Sequence, residues 1–419
     1  MEQLLVRGGR ELRGKLELPK AKNSVLPILA AALLCEGESR ICKVPALRDV
    51  DTSIQLLRAV GGTVQKDGDM LTVSHNTRLT CTVPKELSGA MRSSVYYMVP
   101  LLLHGGAVRM PLPGGCRIGA RPIDLHLAGL CAMGVTFTHE GETLRCTAPN
   151  GLQGTRFCLS FPSVGATETL MMAASLARGR TVLHGCAREP EVLDLACFLQ
   201  CCGANIRGAG GDCITIEGVR ALHGVRYVPI ADRIAAATVL FAVCACGGDV
   251  TLCDVRYEHL ISVVRTLEAM GAVLERPEQG KLRIRVTKPL RAAAVTTGVY
   301  PAFPTDAGPL FAAACLGAEG ESSITETIFE HRFACADEFR KLGARLHCEE
   351  RCLQIHGAAA LTGARLYAED LRGGAALVIA ALAANGESRI ENAEYIRRGY
   401  ADIALLFRGL GAAIEQCES

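Results

Sequence analysis

The sequence of 419 residues has no excess of one charge: 45 Lys and Arg face 43 Asp and Glu, a formal net charge of +2. Wholesale binding to nucleic acid or to an anionic membrane would show as a strong basic excess, so this balance argues against both. Any anion chemistry must come from local clusters. Long hydrophobic runs are also missing. The longest largely apolar stretches, Val25–Cys35 and Ala235–Cys246, hold 11 and 12 residues, well short of the roughly 18 to 20 that cross a bilayer. The opening MEQLLVRGGR lacks the basic and apolar regions of a signal peptide, which predicts a cytoplasmic protein. No C-x-x-C pair occurs among the 20 cysteines, so zinc-ribbon and thioredoxin-like readings lack their motif. Many of the cysteines (Cys35, Cys197, Cys244, Cys246, Cys315) sit in Ala-rich stretches, where cysteine acts as a small hydrophobe. A P-loop, H-E-x-x-H and G-x-S-x-G are absent, which removes the motif basis for ATP-driven, zinc-protease and serine-hydrolase chemistry.

What is present is a globular balance, 49% hydrophobic and 21% charged, at a length that suggests about two or three domains. A helix that ends in Gly and is followed by an apolar strand recurs six times. The segments are LLRAVGGTV, LCAMGVTF, LQCCGANI, LEAMGAVL, FRKLGARL and LFRGLGAAI. Their glycines, Gly61, Gly134, Gly203, Gly271, Gly343 and Gly411, are spaced by 73, 69, 68, 72 and 68 residues. Each glycine is expected to end an amphipathic helix in the left-handed conformation, and the strand after it to turn through a hairpin, as at Thr63–Gln65 and Met70–Val73 or at Asn205–Arg207 and Cys213–Glu217. Between these segments lie Ala-rich helices leading into short strands, such as VLPILAAALL, ETLMMAASLA and AALVIAALAA. They are apolar nearly all round, which requires burial on every side.

The periodicity therefore predicts an α/β protein of six β-α-β-α-β-β repeats, three per domain, with buried helices inside and sheets outside. An open solenoid would leave such helices uncovered at its ends. The arithmetic places one domain at residues 22–229 and the other at 1–21 plus 230–419, the N-terminal strand joining the C-terminal half and the active site lying in the cleft between them.

Function is expected where a repeat departs from the common plan. The N-termini of the Ala-rich helices carry Lys22-Asn23, Arg92, Ser163-Val164-Gly165-Ala166-Thr167, Asp232, Thr305-Asp306 and Asp370-Leu371-Arg372. The loops that follow carry Cys116 with Arg121, then Arg188-Glu189, Arg332, and Arg397-Arg398. Helix N-termini are anion sites, and basic residues at equivalent repeat positions build a cationic site in a nearly neutral chain. Pro111–Pro122 is a Pro- and Gly-rich loop in which Arg117 and Arg121 would favour the Cys116 thiolate. Asp306, among Phe303, Pro304 and other apolar residues, reads either as a base raised by its surroundings or as a helix N-cap.

Read together, these motifs resemble the UDP-N-acetylglucosamine 1-carboxyvinyltransferase family. The match runs end to end through Ala21-Lys22-Asn23, Leu112–Cys116, Ile118–His126, Ser163–Thr167, Ala187–Glu191, Phe303–Asp306, Asp370–Arg372 and Arg398–Tyr400. The resemblance implies the inside-out α/β fold and a first step of peptidoglycan precursor synthesis, in which phosphoenolpyruvate gives its enolpyruvyl group to the sugar 3-hydroxyl and phosphate leaves. It implies that Cys116 protonates C3 and can form a covalent adduct, and that Asp306 takes the hydroxyl proton. Lys22, Arg121, Arg372 and Arg398 would hold phosphoenolpyruvate. Asn23, Arg92, Arg121, Pro122, Ile123, Asp124, Leu125, Phe161, Pro162, Ser163, Val164, Asp306 and Ile328 would line the nucleotide-sugar site, with Arg332 and Asp370 also in contact with substrate. It calls for no cofactor, no metal, no nucleic acid and no membrane.

Three departures from the family pattern stand out. Lys20 replaces a usual Gly and either adds charge to the site or faces solvent. Ala307-Gly308-Pro309 replaces a Met-Gln-containing run, and Phe161 stands where some members carry Lys. The alternatives are enolpyruvylshikimate-phosphate synthase and an inactive paralogue that binds the nucleotide sugar.

With arginines beside it, Cys116 is expected to react with electrophiles faster than the other cysteines near neutral pH. An epoxide phosphonate mimicking phosphoenolpyruvate should alkylate it and stop turnover. Cys116→Asp should retain some activity and resist the epoxide, and Cys116→Ser should lose most phosphate release. Peptide mass mapping after brief treatment decides, and labelling mainly at another cysteine would contradict the assignment.

Overall fold

The computed structural model describes residues 2–75, 79–111, 122–287, 289–358 and 360–418. The apolar stretches form the helices Lys22–Ala31, Met98–Gly105, Val164–Ser175, Arg233–Cys246, Gly308–Cys315 and Leu371–Ala383. These residues lack a polar stripe, and most of their side chains are wholly removed from solvent. A helix of this kind is stable only when covered on all sides, and mixed α/β layers supply the cover. The chain divides into two units, one of residues 20–230 and one of residues 2–19 with 231–418 among those described.

In the unit of residues 231–418, the three helices Arg233–Cys246, Gly308–Cys315 and Leu371–Ala383 pack on one another. Three four-stranded sheets accompany them. Glu2–Arg7 lies between Glu387–Glu391 and Ala413–Glu418 and is antiparallel to both. Phe241, Phe303 and Phe311 form an aromatic triangle with ring centroids 5.8 to 6.3 Å apart, in edge and tilted geometries that suit ring quadrupoles. This cluster anchors Phe303, from which the chain runs directly into Pro304-Thr305-Asp306.

The unit of residues 20–230 has its own core around Lys22–Ala31, the turn Arg92–Tyr97 with the helix Met98–Gly105, and Val164–Ser175. Among the described residues its sheets have four, four, three and two strands. The strand before a buried helix commonly pairs parallel with the strand after it: Arg156–Cys158 with Arg180–His184 in this unit, and Ala294–Thr296 with Glu321–Thr325 and Arg365–Tyr367 with Glu387–Glu391 in the other. Where the chain passes from one unit to the other, the pairing is exchanged. Leu12–Glu17 precedes the first buried helix but pairs with Gly248–Cys253, and Arg226–Tyr227 precedes the fourth but pairs with Ser39–Ile41.

The six spaced glycines all sit in the left-handed region, with φ between 90 and 106°. There an L side chain would meet its own carbonyl, so glycine ends each amphipathic helix and releases the chain into a strand. The first hairpin is longer than its apolar pattern suggests, with strands Thr63–Asp67 and Met70–Ser74. Asp67 pairs directly with Met70, so Gly68-Asp69 makes a two-residue turn that needs positive φ at Gly68 (58°). No helix among the described residues is long and apolar enough to cross a membrane.

One buried acid gives the core a pH dependence. Glu168 is wholly removed from solvent in the middle of Val164–Ser175. Burial pushes its carboxyl well above the ordinary value of 4.5; a hydrogen bond from the Tyr96 hydroxyl opposes this, and Glu191, Glu189 and Asp194 add to it. The folded chain thus keeps a proton that the unfolded chain releases near pH 4.5. Stability from this group is complete below that pH and is lost as pH rises toward the higher folded value. Glu168→Gln should remove this slope. Denaturation midpoints of wild type and variant, measured between about pH 5 and 8, should diverge with rising pH in favour of the variant; parallel profiles would contradict it.

Candidate active site

In the unit of residues 231–418, three helix N-termini come together around one guanidinium. Asp370 caps Leu371–Ala383 by accepting hydrogen bonds from the backbone N–H groups of Arg372 (2.9 Å) and Gly373 (3.0 Å). Asp232 caps Arg233–Cys246 in the same manner. Asp306 lies in the 3-10 turn Thr305–Ala307 that leads into Gly308–Cys315. Arg372 is buried, and its Nε and Nη2 both reach Asp306 Oδ2 at 3.1 Å. The other oxygen, Oδ1, accepts from Arg332, whose Nε also donates to the Thr305 carbonyl at 3.0 Å. Burial works most strongly against the charge on Arg372, but Asp306, Tyr400 and Asp232 together outweigh it and shift the group upward.

The hydroxyl of Tyr400 extends this network. Thr238 donates to the Ile234 carbonyl at 2.8 Å, so Tyr400 must donate to Thr238 Oγ1 (2.6 Å) and accept from Arg372 Nη1 (3.3 Å). The expectation of an acid among apolar neighbours is therefore corrected. Asp306 is surrounded by two guanidiniums, because Arg332 and Arg372 arrive from positions 26 and 66 residues away. Arg398 is half-buried at the end of the turn Ala393–Arg398, two residues before Tyr400, whereas Arg397 pairs at the surface with Glu2.

The unit of residues 20–230 presents a second set. Lys22 opens its helix after the Ala21 N-cap, and its Nζ lies 3.0 Å from Asp49 Oδ2, with both side chains nearly sealed from solvent. Asn23 beside it is exposed. Arg92 donates to the Pro122 carbonyl at 3.1 Å. Ser163 caps Val164–Ser175 by accepting from Ala166 N at 3.3 Å. His126 is buried against the first turn of that helix, where a Cβ on Gly165 would come within 2.8 Å of His126 Nε2. Any larger residue there would have to displace the His126 ring. Burial, helped by Arg92 and opposed by Asp124, pushes the His126 ring down to about 4. It is neutral at neutral pH and adds no charge beside Arg92. Ile123 is buried, Leu125, Pro162 and Val164 are half-buried, and Pro122, Asp124 and Phe161 are exposed.

Cys116, Arg121 and the rest of residues 112–121 lie outside the described residues. Ile328 is half-buried in the loop after Glu321–Thr325, and its backbone N–H donates to Glu326 at 2.7 Å. Lys20 is buried, at 8% exposure, and does not face solvent. Pro309 stands in the first turn of its helix, where its missing N–H leaves no bond unmade. Sequence reasoning did not single out Asp49 or Glu326, because a carboxylate in a first helical turn or after a strand carries no signal of a partner far along the chain. Burial pushes the thiols of Cys146, Cys186, Cys246 and Cys315 up to about 12, which makes them poor nucleophiles. Cys35, lowered by its hydrogen bond with Cys202, is buried. Among the described residues no group of three or more His, Cys, Asp or Glu could hold a metal ion.

The Asp370 cap sets the backbone of Arg372, and Asp370→Ala is expected to cost about 0.5–2 kcal/mol. The measurement is the denaturant midpoint at unchanged slope; an unshifted midpoint would contradict the cap's role.

A family model described as EPSP synthase (3-phosphoshikimate 1-carboxyvinyltransferase) matches residues 6–405. UDP-N-acetylglucosamine 1-carboxyvinyltransferase 2 of Staphylococcus saprophyticus is 40% identical over the whole of both chains. UDP-N-acetylglucosamine 1-carboxyvinyltransferase 1 of Symbiobacterium thermophilum is 44% identical, covering 99% of this chain and 95% of that one. Among solved structures, the enolpyruvyl transferase NikO from Streptomyces tendae superposes with a TM-score of 0.89 at 26% identity, over 99% of this chain and 98% of that one. An EPSP synthase from Acinetobacter baumannii has a TM-score of 0.76 over the full length of both chains at 19% identity, a likeness of fold. The chain belongs to the enolpyruvyl transferase family, and within it to the UDP-N-acetylglucosamine 1-carboxyvinyltransferases.

Proposed function

We propose that this chain transfers the enolpyruvyl group of phosphoenolpyruvate to the 3-hydroxyl of UDP-N-acetylglucosamine, the first committed step of peptidoglycan precursor synthesis, in the cytoplasm. The observation that carries the reading is Asp306, held by Arg332 and Arg372 at the N-terminus of a buried helix, in a chain whose full-length relatives bear that enzyme's name. The same reading takes the architecture as six β-α-β-α-β-β repeats in an inside-out α/β barrel, two domains of three repeats each.

The charges suit the substrate. Phosphoenolpyruvate carries about −3, from a phosphate of about −1.5 to −2 and a carboxylate, and the diphosphate of the nucleotide sugar adds more. Lys22, Arg121, Arg372 and Arg398 would take the phosphate and carboxylate, the arginines through paired N–H donors. Asn23, Arg92, Pro122 to Leu125, Phe161 to Val164 and Ile328 would receive the nucleotide sugar, with the Val164–Ser175 N-terminus offering free N–H groups to its diphosphate. In the addition, the sugar oxygen bonds to C2 as Asp306 takes its proton and Cys116 gives one to C3. In the elimination, C3 returns a proton, the C2–O bond to phosphate breaks, and phosphate leaves with that electron pair. Donors already aimed at developing charge do the work that a metal does elsewhere.

The test is phosphate release by the full chain with phosphoenolpyruvate and one acceptor at a time. UDP-N-acetylglucosamine should support turnover and shikimate 3-phosphate should not. Lys22→Ala and Arg372→Ala should each lower kcat/KM for phosphoenolpyruvate by about 100-fold or more. Turnover with shikimate 3-phosphate, or none with either acceptor, would overturn the reading.

A further inference from the structure

We infer that Glu326 is a positioning residue for the reaction: its buried carboxylate joins the turn that carries Asp306 to the loop that carries Ile328 and Arg332. Glu326 is 1% exposed. Its Oε2 accepts the Thr305 hydroxyl at 2.8 Å, and its Oε1 accepts the backbone N–H groups of Ile328 at 2.7 Å and Phe329 at 3.1 Å. All three donors are neutral, and they come from two segments about twenty residues apart in the chain.

Arg332 closes the ring from the other side. It leaves the same loop and donates to the Thr305 carbonyl at 3.0 Å and to Asp306 Oδ1. The loop is held further by Thr327, whose hydroxyl donates to the Thr297 carbonyl at 2.8 Å and whose N–H donates to Thr297 Oγ1 at 3.0 Å. Asp306 is thus fixed at its side chain by the two arginines and at its neighbouring residue by Glu326. Without the carboxylate, the Thr305 hydroxyl and two buried N–H groups lose their acceptor, and the turn and loop can drift apart. A displacement of about 1 Å at a reacting group costs on the order of 100-fold in rate. Glu326 touches neither substrate in this account; it acts through Thr305 and the backbone of Ile328.

The inference rests on the proposed transfer reaction. The experiment therefore begins with wild-type turnover of phosphoenolpyruvate and UDP-N-acetylglucosamine, and then compares Glu326→Ala, Glu326→Gln and Thr305→Val, each rate taken per site that binds UDP-N-acetylglucosamine by calorimetry. Glu326→Ala should lower kcat by about 100-fold while KM for phosphoenolpyruvate stays within about threefold. Glu326→Gln should keep kcat within about tenfold of wild type, because its amide oxygen can accept both N–H groups while its NH2 donates to Thr305. Thr305→Val should fall between the two. A merely structural role would reduce the number of binding sites and the melting temperature without this kcat effect per site. Wild-type turnover with Glu326→Ala kcat within threefold of it, or with Glu326→Gln as poor as Glu326→Ala, would overturn the positioning role alone. If Glu326→Ala does not fold, the ranking of the other two variants decides. No wild-type turnover would overturn both readings.

Discussion

A helix with no polar face can do chemistry only at its ends. Six helices of this chain have their side chains sealed into cores, so their free backbone N–H groups are the accessible functional surface. That constraint explains why Lys22, Ser163, Asp306 and Arg372 collect at helix N-termini. It also explains the kind of chemistry to expect there, since an N-terminus carries partial positive charge and favours an anion. The sheets and the left-handed glycines serve the same requirement: they cover the helices and return the chain to the next one.

Positive charge at such an end is costly unless it is answered. Arg372 is the second residue of its helix and is buried, so its guanidinium opposes the helix dipole as well as desolvation. Asp306 and Asp232 answer it, each from the N-terminal end of a different helix. Lys22 meets the same problem in the other unit and is answered by Asp49. The protein therefore holds its cations ready but already paired. A trianionic substrate can exchange for a carboxylate at such a place with little net loss of charge compensation. Tyr400, donating to Thr238 and accepting from Arg372, fixes the guanidinium plane so that the exchange does not require the side chain to search for a new position.

The periodic features were readable because they are local. Each repeat glycine follows its own helix, and all six have the positive φ that local reasoning demands. The apolar helices were equally plain, although the first starts earlier than its apolar run, at Lys22, because its polar first turn belongs to the site. Asp306 was recognisable as a candidate but its environment was not. The sequence around it is apolar, whereas the two arginines that hold it come from positions 332 and 372. Lys20 looked as though it could face solvent and is buried. Asp49 and Glu326 were invisible for a related reason, since an isolated carboxylate does not announce a partner 27 or 21 positions away.

The proposed transfer requires that a proton be added to C3 of phosphoenolpyruvate and then removed as phosphate leaves. Proton NMR of the product formed in deuterated water tests it most directly. Addition of solvent-derived deuterium gives a CH2D group at C3, and elimination then removes either isotope. The expected product is an enol ether of UDP-N-acetylglucosamine whose vinyl CH2 is partly deuterated, formed together with inorganic phosphate. An enol ether with no deuterium at that carbon, or phosphate released with no change in the nucleotide sugar, would contradict it.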